Sequence, residues 1–381
     1  MSDFSVPFFR PTIEDDEISQ VEACLRSGWL TTGPNAKAFE AEFSALMNNA
    51  DCLAVTSATA ALHLGLDALG VEPDDEVIVP TLTFTATAEV VRYMGAKPIF
   101  VDVDPKTLCL DINAIEGLIT KKTKVIIPVH FGGRSCDMTA LRALADKYNI
   151  FIMDDAAHAL PTRHKNKLIG TTGADITAFS FYANKTMTTG EGGMLVMQNK
   201  EFAKRARIMR LHGIDRDVFN RFTDTNASWV YDVVAPGFKY NMTDIAAALG
   251  RVQFSKIDRF CSERTKLAKR YFSKLKDLPL ILPPEADIND THSWHLFIIR
   301  LTDDAPVNRD DLIQHLQKNN IGSSVHYRPL HQMTYWSKII DGRKFPEADK
   351  YFNHCLSLPL YMSMTHEEQN YVIDVLHKVL G

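Results

Sequence analysis

The chain has 381 residues, 45% hydrophobic and 23% charged, the balance of an ordinary soluble globular protein. That length allows two or three average domains, or one large α/β unit with a smaller appendage. A net charge of -5 and a pI near 6.2 give no electrostatic reason to expect nucleic acid or an anionic membrane as partner.

Residues 14–27 carry Ile18, Val21 and Leu25 at helical spacing, behind Ile13, Thr12 and the acidic Glu14–Asp16, which predicts a capped helix. Gly28-Trp29-Leu30-Thr31-Thr32-Gly33-Pro34 breaks it, as a hydrophobic plug or as a functional loop. A short apolar strand ending at Val55 runs straight into an Ala- and Leu-rich helix through Ser57, Ala58 and Thr59. Ser and Thr at such a start cap the helix, and its free N–H groups make an anion site. His63, inside that helix, reads as a packed or surface histidine. The strand 76–80 leads into a loop over Thr81–Thr87, where Phe84 fits either a core position or a stacking platform for a flat ring. Strands at 98–103 and 125–129 and helices near 111–119 and 137–149 follow. Asp102 and Asp104 look like a diacid metal pair, but Pro105 favours an edge turn, and no metal site is expected.

The stretch from Asp154 to Gly193 organises the rest. The apolar run 150–153 stops on Asp154-Asp155, and the run 176–181 is followed by Tyr182-Ala183-Asn184-Lys185. Strands and helices alternate throughout 52–200, which predicts a mostly parallel sheet with helices on both faces, and ligands bind outside the carboxyl ends of such strands. An acid and a lysine at two strand ends suit pyridoxal 5'-phosphate (PLP), which needs a lysine for its Schiff base and a carboxylate for its pyridine nitrogen. No Gly-x-Gly-x-x-Gly follows any strand, so a dinucleotide fold lacks its fingerprint. Beyond a basic helix at 201–211 and a polar, aromatic excursion at 215–232, Thr243 caps a helix expected to run to about 273. A strand at 293–301, a helix at 308–319, a strand at 323–327 and helices within 344–357 and 365–379 read as a smaller α+β region. Six scattered cysteines without a Cys-x-x-Cys pair, no basic-plus-apolar leader and no apolar run near the ~18 residues of a membrane span predict a cytoplasmic protein with free thiols.

Ser180–Gly193 and Asp154–Ala159 together resemble the DegT/DnrJ/EryC1/StrS family of PLP-dependent nucleotide-sugar aminotransferases, and the likeness extends over nearly the whole chain. The resemblance implies an α/β fold of the aspartate aminotransferase type (PLP fold type I): a large PLP-binding domain over 1–255 with a mainly parallel seven-stranded sheet, and a small C-terminal domain over 256–381. It implies a homodimer with shared active sites, and glutamate as amino donor to a ketone on a nucleotide-linked sugar. Lys185 would be the catalytic lysine and Asp155 the partner of the pyridine nitrogen. Ser180, Ser57, Ala58 and Thr59 would hold the phosphate, Phe84 would stack on the ring, and His158 would reach the ring edge and its phenolic oxygen. Asn241 or Lys239 would touch the neighbouring subunit's cofactor phosphate. Tyr182, His326, Tyr327, Arg328 and Lys239 would face the substrate. The wording Phe-Tyr-Ala-Asn-Lys and Gly-Phe-Lys-Tyr-Asn points to amination at C4 of a 4-keto-6-deoxy sugar for a bacterial surface polysaccharide, O-antigen or other glycan. Amination at C3, or a PLP-fold protein that binds without turnover, is the alternative.

Overall fold

The computed structural model describes residues 4–215, 231–340 and 342–381, so most of the 215–232 excursion lies outside the described residues. A seven-stranded sheet forms the centre: β1 (Asp51–Val55), β2 (Glu76–Pro80), β3 (Lys97–Val101), β4 (Thr123–Ile126), β5 (Phe151–Asp155), β8 (Ile176–Ser180) and β9 (Gly193–Met197), with β6 (Arg163–His164) and β7 (Lys167–Leu168) forming a separate hairpin. The order is β1-β9-β8-β5-β4-β2-β3. β8, β5, β4, β2 and β3 pair in parallel, and β9 runs antiparallel to both neighbours. The carboxyl ends of β1, β2, β5 and β8 therefore open on one edge. The strand interiors are buried without alternation, as expected for a sheet covered on both faces.

α1 (Asp15–Ser27) starts with a reciprocal capping box between Glu14 and Glu17. α2 (Pro34–Leu46) was not expected, because Gly33-Pro34 reads as a breaker; proline is at home in a helix's first turn. Asp244 accepts from the amides of Gly33 (2.7 Å), Asn35 (3.0 Å) and Ala36 (3.0 Å), which ties this turn to a residue more than 200 positions away. A Cβ on Gly33 would collide with the Trp29 ring. α3 (Ala58–Ala68) is capped by Ser57, whose hydroxyl accepts from Ala60 N at 3.0 Å. α4 (Ala86–Tyr93) takes the last two residues of the expected 81–87 loop into a helix. Asp102 caps the helix Pro346–His354 through the amides of Glu347 and Ala348, and Asp104 closes a turn onto Lys106 and Thr107.

The expected single helix from 243 breaks at Lys256 into Asp244–Ser255 and Ile257–Leu275. Lys256 there makes ion pairs with Glu14 and Glu17, a tertiary anchor with no local signal. A three-stranded sheet joins Leu280–Ile281, Phe297–Leu301 and Cys355–Leu358. The last of these strands was not expected, and the expected strand at 323–327 is a single rung, Ser324 to Ser357, before the chain turns toward the large sheet. Val6 pairs with Ile321, so the N-terminal segment joins the core around this smaller sheet. All six cysteines are free. No helix among the described residues is long and apolar enough to cross a membrane.

Candidate active site

Four segments converge at the shared sheet edge, each placed by its strand. Asp155 ends β5 and is 6% exposed. Thr87 donates to its Oδ2 at 2.8 Å, and the Ala157 amide donates to its Oδ1 at 3.1 Å. Thr83 lies 2.8 Å from the Thr87 hydroxyl, so a buried hydroxyl pair backs the carboxylate. Burial raises the pKa of Asp155, while Thr87, the Ala157 amide, Lys185 and His130 pull it back. Each carboxylate oxygen keeps a lone pair for a further donor.

Lys185 follows β8 on the turn that its amide closes onto Tyr182 O at 3.0 Å. Burial lowers its pKa to about 8, opposed by the attraction of Asp155. Nζ is thus uncharged far more often near neutral pH than an ordinary lysine amine, and the uncharged form is the one that acts as nucleophile or base. The low value is the work of desolvation.

β1, β9 and β8 build a cradle between them. Gly193 pairs with Val55 on one side and Ser180 on the other. A Cβ there would sit 2.7 Å from Ser57 C and O and 2.8 Å from Ala58 N. The absent side chain leaves a concave seat between Ser180 and the first turn of α3, where the Ala58 and Thr59 amides are free of helical partners. Such a helix start carries partial positive charge. Acid, lysine and anion seat together fit PLP in its donor chemistry.

The remaining expected residues divide. His158, His326 and Tyr327 are brought to the same place. His158 is buried, and Lys185 and His326 add to the burial that holds its pKa well below the usual imidazole value. His326, lowered to about 4 by burial and by Lys185, lies 2.8 Å from Ser357 Oγ through Nδ1. Phe84 is 58% exposed, with its ring centroid 5.9 Å from that of Tyr327. Tyr182 is exposed beside the lysine turn. Arg328 is instead exposed and donates to Gln332 O. Lys239 and Asn241 lie together elsewhere: Lys239 Nζ donates to Asn241 Oδ1 and Asn241 Nδ2 to Thr32 Oγ1, both at 2.6 Å. They line a cavity of about 850 Å³ with Trp29, Thr31 and Thr32. His63 is buried, 3.1 Å from the Tyr240 hydroxyl.

Sequence reasoning missed Thr83, Thr87 and His295. The i, i+4 threonines after β2 were a signal for the first two. His295 packs against His158 with ring centroids 4.3 Å apart and planes tilted by 37°, across a sequence gap that no local pattern spans.

Residues 11–377 match the model of the DegT/DnrJ/EryC1/StrS aminotransferase family. The spore coat polysaccharide biosynthesis protein SpsC of Bacillus subtilis (strain 168) is 41% identical over 379 residues, covering 98% of this chain and 97% of that protein. Among solved structures, Spr1654 of Streptococcus pneumoniae, described as a sugar aminotransferase, is similar in its PLP form with a TM-score of 0.91 and 36% identity, covering 99% of this chain and 100% of that one. Its PMP form gives the same TM-score. DesV of S. venezuelae gives 0.89 at 31% identity, with 98% of each chain covered. An α/β fold with this edge of acid, lysine and anion seat defines a PLP-dependent aminotransferase. The chain belongs to the DegT/DnrJ/EryC1/StrS family, and it is a sugar aminotransferase whose cofactor is PLP.

Proposed function

We propose that this aminotransferase moves an amino group from glutamate to C4 of a nucleotide-linked 4-keto-6-deoxy sugar, as a cytoplasmic homodimer with shared active sites. The sugar is destined for a bacterial surface polysaccharide or glycan. The observation that carries the transamination is the pairing of Lys185, its pKa lowered to about 8, with the buried Asp155 at neighbouring strand ends. The name of SpsC supports the polysaccharide role.

When bound, PLP supplies an electron sink for charge developing on the substrate carbon. Asp155, held by Thr87 and the Ala157 amide, keeps a proton on the pyridine nitrogen. Lys185 anchors the cofactor and then, as free amine, takes a proton from the substrate carbon at Nζ and returns it. Ser57, Ala58, Thr59 and Ser180 hold the phosphate, and Phe84 covers one ring face. Tyr182, His326 and Tyr327 contact the sugar. Lys239 and Asn241, bonded to one another, reach the other subunit's phosphate as a pair.

The test is an absorption spectrum of the protein with PLP, before and after glutamate. A visible band that glutamate bleaches, followed by amination of a 4-keto but not a 3-keto nucleotide sugar, is the expected result. Selective turnover of the 3-keto sugar would overturn the C4 assignment, and a protein that stays colourless with PLP would overturn the whole reading.

A further inference from the structure

His158 has both ring nitrogens engaged by protein. The Gly132 amide donates to Nδ1 at 3.3 Å, and Nε2 lies 3.2 Å from the Tyr327 hydroxyl. An amide N–H can meet only a nitrogen that carries a lone pair, so the hydrogen-bonding pattern assigns the ring proton to Nε2. Nε2–H then donates and the Tyr327 oxygen accepts. The phenol's own hydrogen is left over, and His158 is its only hydrogen-bonding partner among the described residues. The other rings around Tyr327 take no hydrogen bond from it: His326, Phe84 and Phe131 stand 4.9 Å, 5.9 Å and 6.2 Å away, centroid to centroid, and His326 turns its Nδ1 to Ser357. Burial, with Asp155 nearby, raises the phenol's pKa, so it stays protonated and acts as a donor. His295 packs against His158 from behind, with ring centroids 4.3 Å apart and planes tilted by 37°, and limits the motion of that imidazole.

We propose that Tyr327 donates a hydrogen bond from Oη to an oxygen acceptor of the molecule bound beside Lys185, with His158 aiming it from behind. This rests on the aminotransferase reading of the site and deepens it. The acceptor is a carbonyl, hydroxyl or phenolate oxygen, on the substrate or on PLP. His158, with no free nitrogen, is a positioning residue that acts through Tyr327.

Two measurements test this. Nitrogen NMR of histidine-labelled apo-protein, with the His158 signals assigned by their loss in His158→Phe, should show the Nε2–H tautomer; an Nδ1–H tautomer would reverse the direction of the chain and overturn the proposal. Tyr327→Phe removes one oxygen and keeps the ring contacts, and an unchanged melting temperature confirms its fold. If the acceptor is on PLP, this variant binds PLP about tenfold more weakly, the worth of one hydrogen bond, yet matches the wild type for 3-deoxy-PLP. If the acceptor is on the substrate, PLP affinity holds and the KM for glutamate or for the keto sugar rises about tenfold. A folded variant equal to wild type in both arms overturns the proposal. The double variant with His158→Phe should be no worse than Tyr327→Phe alone, and additive losses would remove the positioning role. A wild type that takes up no PLP would overturn instead the reading of the site on which all this depends.

Discussion

Asp154 and Asp155 are neighbours on β5, yet the two faces of the strand give them opposite surroundings. Asp155 faces the open edge, with one donor on each oxygen and a lysine across the gap. Asp154 faces inward and is fully buried; Thr177 donates to its Oδ2 at 3.3 Å and His130 Nε2 stands 3.5 Å away, while Oδ1 has no hydrogen-bond partner among the described residues. Burial opposes protonation of His130, but the attraction of Asp154 prevails and raises its pKa. Because side chains alternate along a strand, a one-residue offset separates a carboxylate placed to serve a ligand from one that serves the core. Residue type did not distinguish them; register did.

The sharpest break in that comparison comes from the lysine. Lys185→Ala should remove the visible band given by PLP and cut turnover by at least roughly a hundred- to ten-thousandfold, the contribution of positioned proton transfer. In the wild type, the rate of PLP uptake by apo-protein should rise with pH and level off above about 8, since the amine form grows as pH passes the lowered pKa of Lys185. A flat profile would break the link between burial and reactivity. Asp155→Ala should keep some cofactor but lose most turnover, about a hundredfold, measured beside PLP retention on dialysis. Thr87→Val removes a charge-assisted donor at nearly constant volume, so the Asp155 pKa should climb further and activity fall about tenfold. The smallest effect on the cofactor belongs to Asp154→Asn. It should leave the absorption spectrum unchanged and cost about 1–3 kcal/mol in denaturant unfolding. If Asp154→Asn instead lost PLP while Asp155→Asn kept it, the two faces would have been assigned the wrong way round.

The strand ends that carry this contrast were legible because buried parallel strands write themselves as unbroken apolar runs, and the residues just past such a run lie at the sheet edge. Asp155, Lys185 and the Ser57 helix start could be found that way. Thr87 could not, because it belongs to α4, whose beginning inside Thr81–Thr87 carries no proline, glycine or side-chain cap to announce it. The 320–358 segment resisted for another reason. Its path is set by distant partners, such as Thr81 against His331 at 2.7 Å and Tyr351 against the His326 carbonyl at 2.6 Å. Local propensity sees none of these. The helix break at Lys256 likewise accompanies ion pairs with Glu14 and Glu17 and no sequence punctuation.

The clasp of Asp244 on Gly33, Asn35 and Ala36 also sets an order in time. The turn around Trp29 has no other carboxylate holding its amides among the described residues, so it waits for a residue made more than 200 positions later. At about 5–20 residues per second of synthesis, that delay is roughly ten seconds or longer. Within that interval the central strands are made one after another, the last ending at Met197, while the first thirty-odd residues wait without this clasp. A chain truncated before Asp244 would carry the cofactor lysine and its carboxylate, yet leave its own beginning untethered.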